Sequence, residues 1–110
     1  MLDWNQYHAE LMSRIGDVAK ASPDTVKGYQ VLSGAGGKTN LLDEKTRQLI
    51  AVAVAITTRC DGCIAVHSRL ATESGASKEE IAEALGVAVA LNAGAALVYS
   101  ARVMDALDSK

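Results

Sequence analysis

Apolar side chains recur every three or four residues along most of this chain, the repeat of a helix with one buried face. The first stripe is Trp4, Tyr7, Leu11, Ile15 and Val18, and Asp3 stands where an N-cap belongs. Ser22 followed by Pro23 predicts a second helix, through about Leu32, because proline fits the first helical position. Ser33 to Asn40 reads as a surface loop by its glycine-rich composition. Asp43 caps a third helix, Glu44 to about Thr58, whose interior Leu49 to Ile56 is apolar on every face. That pattern predicts a segment buried on all sides. A buried strand would look alike, but the lead-in Glu44, Lys45, Arg47 and Gln48 consists of strong helix formers. A fourth helix starts near Cys60 and closes at Gly75. Ser77-Lys-Glu-Glu80 is a capping box that opens a fifth. Asn92 to Gly94 is expected to break the chain before a sixth helix carrying Val98, Tyr99, Val103, Met104 and Leu107. The expected fold is all-α, with about six helices.

Composition adds a question of burial. The 110 residues make one domain, 1–110, with an N-terminal helical pair over 1–40 and a core over 41–107. Hydrophobic residues are 49% of the total, yet there is no Phe, one Trp and three Tyr. One Pro leaves long stretches free to be helical. A monomer of this size buries only about two-thirds of its unfolded surface. Small side chains then leave apolar area to be covered between subunits, so an oligomer is expected. The net charge of −2 provides no basic footprint for nucleic acid or an anionic membrane. The N-terminal residues carry no secretory signal pattern. Ile81 to Ala101 is long and apolar, but Glu83, Asn92 and Arg102 in or beside it favour a buried helix hairpin over a membrane span. A soluble, cytoplasmic protein is the expectation.

The glycine-rich segment invites comparison with a phosphate loop. Only Gly37-Lys38-Thr39 fits, with no glycine at position 32 and no preceding strand, so it reads as a linker. The chemical signal lies elsewhere, in Cys60-Asp61-Gly62-Cys63 followed by His67. On a helix starting at Cys60, the two cysteines and His67 fall within roughly a 60° arc. First-turn amides favour a thiolate, a neighbouring imidazole can take the proton, and Cys-x-x-Cys is short enough to close as a disulfide. Three ligands for zinc, or two cysteines buried as small hydrophobes, are the alternatives. The lack of a second cysteine pair, the polar Asp61 and the intervening Gly62 favour redox chemistry over both.

The run Gln48-Leu-Ile-Ala-Val-Ala-Val-Ala-Ile-Thr-Thr-Arg-Cys60-Asp-Gly-Cys63-Ile-Ala-Val-His67 resembles the signature of the alkylhydroperoxidase D-like proteins. These belong to the carboxymuconolactone decarboxylase superfamily. The resemblance covers roughly Leu41 to Leu107, with Ala71, Gly75 and the Glu79-Glu80-Ile81 helix start continuing it, and the first forty residues match only loosely. It implies an all-α subunit assembling into trimers or hexamers. It also implies an antioxidant, peroxiredoxin-type enzyme that reduces hydroperoxides with thiols, needs no cofactor or metal, and is reset by an external thiol or dithiol reductant. By the same resemblance Cys63 is the peroxide-attacking thiol, Cys60 its resolving partner and His67 the proton-relay histidine.

Two positions depart from that pattern. The family's relay has a glutamate twelve residues before the first cysteine, and here Gln48 stands there. An amide can orient His67 but accepts no proton at neutral pH. Glu44, one turn earlier, could supply the missing carboxylate, or could simply complement the helix dipole in solvent. Asp61 replaces a family histidine and raises the thiol pKa by its charge. These departures leave room for a redox sensor or scaffold without turnover, and for a cofactor-free lactone decarboxylase that needs neither cysteine. Arg59 and His8 read as surface residues, Tyr99 as core or interface, and Trp4 as a subunit contact.

Overall fold

A computed structural model describes residues 1–109, and these contain five helices and no strand. Helix α1 spans Trp4–Ala21 and is capped by Asp3, whose carboxylate accepts from the Gln6 amide at 3.1 Å. Helix α2 spans Pro23–Thr39. Its Ser22 cap bonds the Thr25 hydroxyl rather than a backbone amide. Helix α3, Glu44–Thr58, is capped by Asp43 through the Thr46 amide at 2.8 Å. Helix α4, Asp61–Glu73, is followed by Gly75 at a φ of 92°, where a side chain would be strained. Helix α5, Lys78–Asp108, opens with both arms of the Ser77–Glu80 capping box in place.

The two expected interruptions are absent. Residues 33–39 continue α2, which closes only at Asn40 in the left-handed conformation. Glycine weakens a helix by about 1 kcal/mol without ending it, and none of Gly34, Gly36 and Gly37 has a positive φ. Asn92 likewise stays helical, because its amide nitrogen donates to the Ala88 carbonyl at 2.7 Å and to Thr57 Oγ1 at 2.9 Å. Five helices therefore replace the expected six, and one 31-residue helix replaces the hairpin. By length and composition alone, α5 could cross a membrane.

Helix α3 is the hub, packed against α4 on one side and α5 on another, while α1 joins α2 to α4. The core is narrow. Val52, Ala71 and Ala76 form its centre, with Leu49, Ile81 and Leu85 packed against them. Mostly alanine at the contacts lets the backbones approach closely but buries little area per residue. The expectation that α3 is buried on all sides fails here, since Ile50 and Val54 remain about half exposed. Leu97, Val98, Tyr99, Val103, Met104 and Leu107 on the outer half of α5 are exposed as well. The radius of gyration is 18.0 Å, against roughly 13 Å for a compact domain of this length.

Candidate redox site

The turn between α3 and α4 sets the cysteines. Arg59 ends α3 in the left-handed conformation (φ 55°), a choice that costs a non-glycine residue about 1–2 kcal/mol. Cys60 then adopts an extended backbone as the N-cap of α4, and its sulfur accepts from the Cys63 amide at 3.1 Å. The two cysteines are joined as a disulfide, with Cα atoms 5.2 Å apart. On reduction, the same first-turn amides face the freed sulfurs and favour a thiolate. Asp61 lies exposed in that turn and opposes them. Gly62 leaves room for α1, since a Cβ there would meet Leu11 Cδ2 at 2.8 Å.

His67 stands one helical turn after Cys63, about 6 Å along the axis. Its Nδ1 lies 2.7 Å from Gln48 Oε1 across the α3–α4 interface. The Gln48 amide nitrogen donates to Glu44 Oε1 at 2.9 Å, and Arg47 Nη2 donates to Glu44 Oε2 at 2.7 Å. The Gln48 amide first, and then Arg47, hold the Glu44 carboxyl below the usual range. An ionised carboxylate only accepts, so the NH2 group of Gln48 must face Glu44 and its oxygen must face His67. His67 Nδ1 is then the protonated nitrogen, and Nε2 is left with the lone pair that can accept a proton.

The structure places Cys60 and Cys63 in a disulfide at the start of α4 and His67 further along that helix, and it hydrogen-bonds His67 to Gln48 and Gln48 to Glu44 on the facing helix. Glu44 reaches His67 only through Gln48. Sequence reasoning missed Arg47, whose only visible signal is its position three residues after Glu44. Its Nη1 donates to Asn40 Oδ1 at 3.1 Å and to the Leu42 carbonyl. The smaller expectations fare unevenly. Trp4 packs within its own chain, edge-on to Tyr7 at 6.1 Å, and lines a cleft with Ile64, Ser68 and Arg69. His8 is half-buried on α1, and Tyr99 is exposed beneath the Arg102 guanidinium rather than in the core. Among the described residues no group of three or more His, Cys, Asp and Glu side chains is arranged to hold a metal ion.

Comparison with known proteins adds a family. Residues 23–106 match the profile of the carboxymuconolactone decarboxylase family, so the match takes in α2 and begins earlier than the sequence resemblance did. An uncharacterised protein of Haemophilus influenzae is 46% identical over 104 residues, covering 94% of this chain and 92% of its own. Uncharacterised protein 4 in the cox locus of Paracoccus denitrificans is 37% identical over 94 residues, covering 86% and 85%. Among solved structures, an apo carboxymuconolactone decarboxylase family protein from Legionella pneumophila superposes with a TM-score of 0.76. That protein is 33% identical, and the match covers 94% of this chain and 92% of the other.

Proposed function

The chain belongs to the carboxymuconolactone decarboxylase family, and within it we propose a thiol-dependent peroxidase that cycles through the Cys60–Cys63 disulfide. The observation that carries this reading is the cysteine pair at the start of α4 with His67 one turn on, its ring tied to Gln48 at 2.7 Å. In the reduced protein His67 Nε2 takes the Cys63 proton. The thiolate attacks one oxygen of the hydroperoxide, the O–O bond breaks, and the leaving alkoxide receives a proton as the alcohol. Cys63 is left as a sulfenic acid. Cys60 attacks it, water leaves, and the disulfide forms. An external thiol or dithiol donates two electrons to reopen it.

A second reading keeps the disulfide but not the turnover. Gln48 favours it, because an amide passes no proton onward. Single-turnover mass spectrometry of the reduced protein with an organic hydroperoxide separates the two readings, with wild type, Cys60→Ser and Cys63→Ser run side by side. The peroxidase reading expects wild type to lose two hydrogens at each turnover, and a trappable sulfenic acid at Cys63 when Cys60 is Ser. A disulfide that forms once, with no steady consumption of peroxide by any added thiol, would leave a sensor. Activity on a lactone acid that survives removal of both cysteines would make the protein a lyase.

The working unit in this proposal is a cytoplasmic homo-oligomer, a trimer or hexamer. The chain exposes 8416 Å², whereas a compact monomer of 11.5 kDa exposes roughly 5,800 Å². The difference is about three times the ~800 Å² that one partner contributes to a stable interface. The groove between α3 and α5, lined by Ile50, Val54, Val87 and Leu91, is the apolar face a second copy would cover. Glu83 and Arg102 on α5 suit a protein partner better than lipid.

A further inference from the structure

We infer that Arg47 and Glu44 are positioning residues that act through Gln48 to decide which nitrogen of His67 is the base. The kinetic consequence rests on the thiol chemistry proposed above; the positioning itself does not. Three facts combine. Arg47 is fixed on three sides, by Asn40 Oδ1, by the Leu42 carbonyl and by Glu44 Oε2. Its stem runs where a Cβ on Gly36 would stand, 2.8 Å from Arg47 Cδ. The glycine-rich end of α2 and its left-handed Asn40 thus form a cradle for this side chain, which gives that segment a role beyond linking two helices.

Held by Arg47, the half-exposed Glu44 carboxylate presents Oε1 to the amide of Gln48. An amide flipped end for end would set its oxygen against that carboxylate and its NH2 against the imidazole. In the flipped state Nδ1 would accept and Nε2 would carry the hydrogen, so Nε2 could take no proton from a thiol. Glu44 therefore does not replace the family glutamate as a proton acceptor. It supplies the polarity that makes a neutral glutamine present its oxygen. The group that orients the base is uncharged, which differs from a relay with a carboxylate directly on the histidine.

The test is the tautomer of His67 in the oxidised protein, read by long-range proton–nitrogen NMR above the pH range in which histidine titrates. Wild type is expected to show the Nδ1–H form alone. Glu44→Ala is expected to show both forms, and Arg47→Met a smaller change in the same direction. The double variant Glu44→Ala with Gln48→Glu should return to Nδ1–H, because a carboxylate at position 48 can only accept; a loss of packing would not be rescued this way. In the reduced protein, Glu44→Ala should slow peroxide-driven oxidation of Cys63 on the order of tenfold, part of the ~10²–10⁴ that a general base supplies. A Glu44→Ala protein that keeps wild type's single tautomer would overturn the inference even if peroxide turnover were intact. A tautomer that responds as described in a protein with no turnover would uphold it and remove the peroxidase reading instead.

Discussion

The facing turns of α3 and α4 and the outer half of α5 satisfy their side chains in opposite ways. Between α3 and α4, Arg47, Glu44, Gln48 and His67 are each hydrogen-bonded to the next, and among the described residues no buried side-chain nitrogen or oxygen lacks a partner. Along α5, Leu97, Val98, Val103 and Leu107 each remain more than half exposed. The hydrogen-bonded chain depends on distances of a few ångströms and is assembled within one chain. Apolar burial has no such directional demand, and along the outer half of α5 it is not completed within the chain. The two regions share α3, whose one side carries Glu44 and Gln48 of the hydrogen-bonded chain to His67 and whose other side, with Ile50 and Val54, belongs to the open groove.

Two variants should break these regions separately. Cys63→Ser has the largest expected effect on chemistry: peroxide consumption falls to background, while circular dichroism and sedimentation match wild type. Val54→Asp with Leu91→Asp should do the reverse, placing unpaired charges on the groove where a second copy would bury them. Sedimentation velocity is expected to show dissociation, and the melting temperature to drop by on the order of 10 °C. An unchanged mass in solution would show that the groove is not an interface.

The local signals in the sequence were those that hydrogen bonds within one turn enforce. Asp3, Asp43, the Ser77–Glu80 box and Gly75 all act where their spacing indicated. The placement of Cys60 as the cap of α4, with Cys63 and His67 one turn apart within it, was legible for the same reason. The misreadings concern glycine and asparagine inside helices. At Asn92 a bond to Thr57, 35 residues away, helps keep the side chain within the helix, and no local rule reveals it. At the end of α2 the same error had a consequence for the site. Taken as a loop, Ser33 to Asn40 offers no fixed place for Asn40 or Gly36, so the cradle of Arg47 was invisible, and with it the orientation of Gln48.

A third variant sharpens the comparison where the site meets α1. Gly62→Ala would place a Cβ 2.8 Å from Leu11 Cδ2. Leucine tips can shift, so the cost should lie near the lower end of the ~1–3 kcal/mol typical of overpacking. Leu11→Ala alone loses packing against the cysteine turn. The double variant should be more stable than the sum of the two single losses predicts, by a coupling of about 0.5–1 kcal/mol in urea denaturation. Additive losses would mean that Leu11 exerts no steric control over the turn.

The smallest expected effect comes from the pair that ties α3 to α5. Lys45 Nζ donates to Glu80 Oε2 at 2.7 Å, and Glu80 Oε1 accepts from the Ser77 amide at 3.0 Å. Lys45 first, and the Ser77 amide second, hold Glu80 below its ordinary pKa of 4.5; Glu80 in turn raises Lys45 above 10.5. The signs follow from linkage. Glu80's contribution is complete above 4.5 and is lost as pH falls through its lower folded value. That of Lys45 is complete below 10.5 and is lost as pH rises through its higher folded value. Both side chains are more than a third exposed, so solvent and salt screen the pair. Lys45→Met should therefore flatten only part of the acid limb of the stability–pH curve, leaving the capping-box share, whereas Glu80→Gln should remove both. Added salt should erase the difference between wild type and Lys45→Met before it touches the share due to Ser77, because a backbone amide at hydrogen-bond distance is screened far less than an exposed ammonium. If Lys45→Met and Glu80→Gln gave the same acid limb, the bridge would carry the whole effect and the cap none.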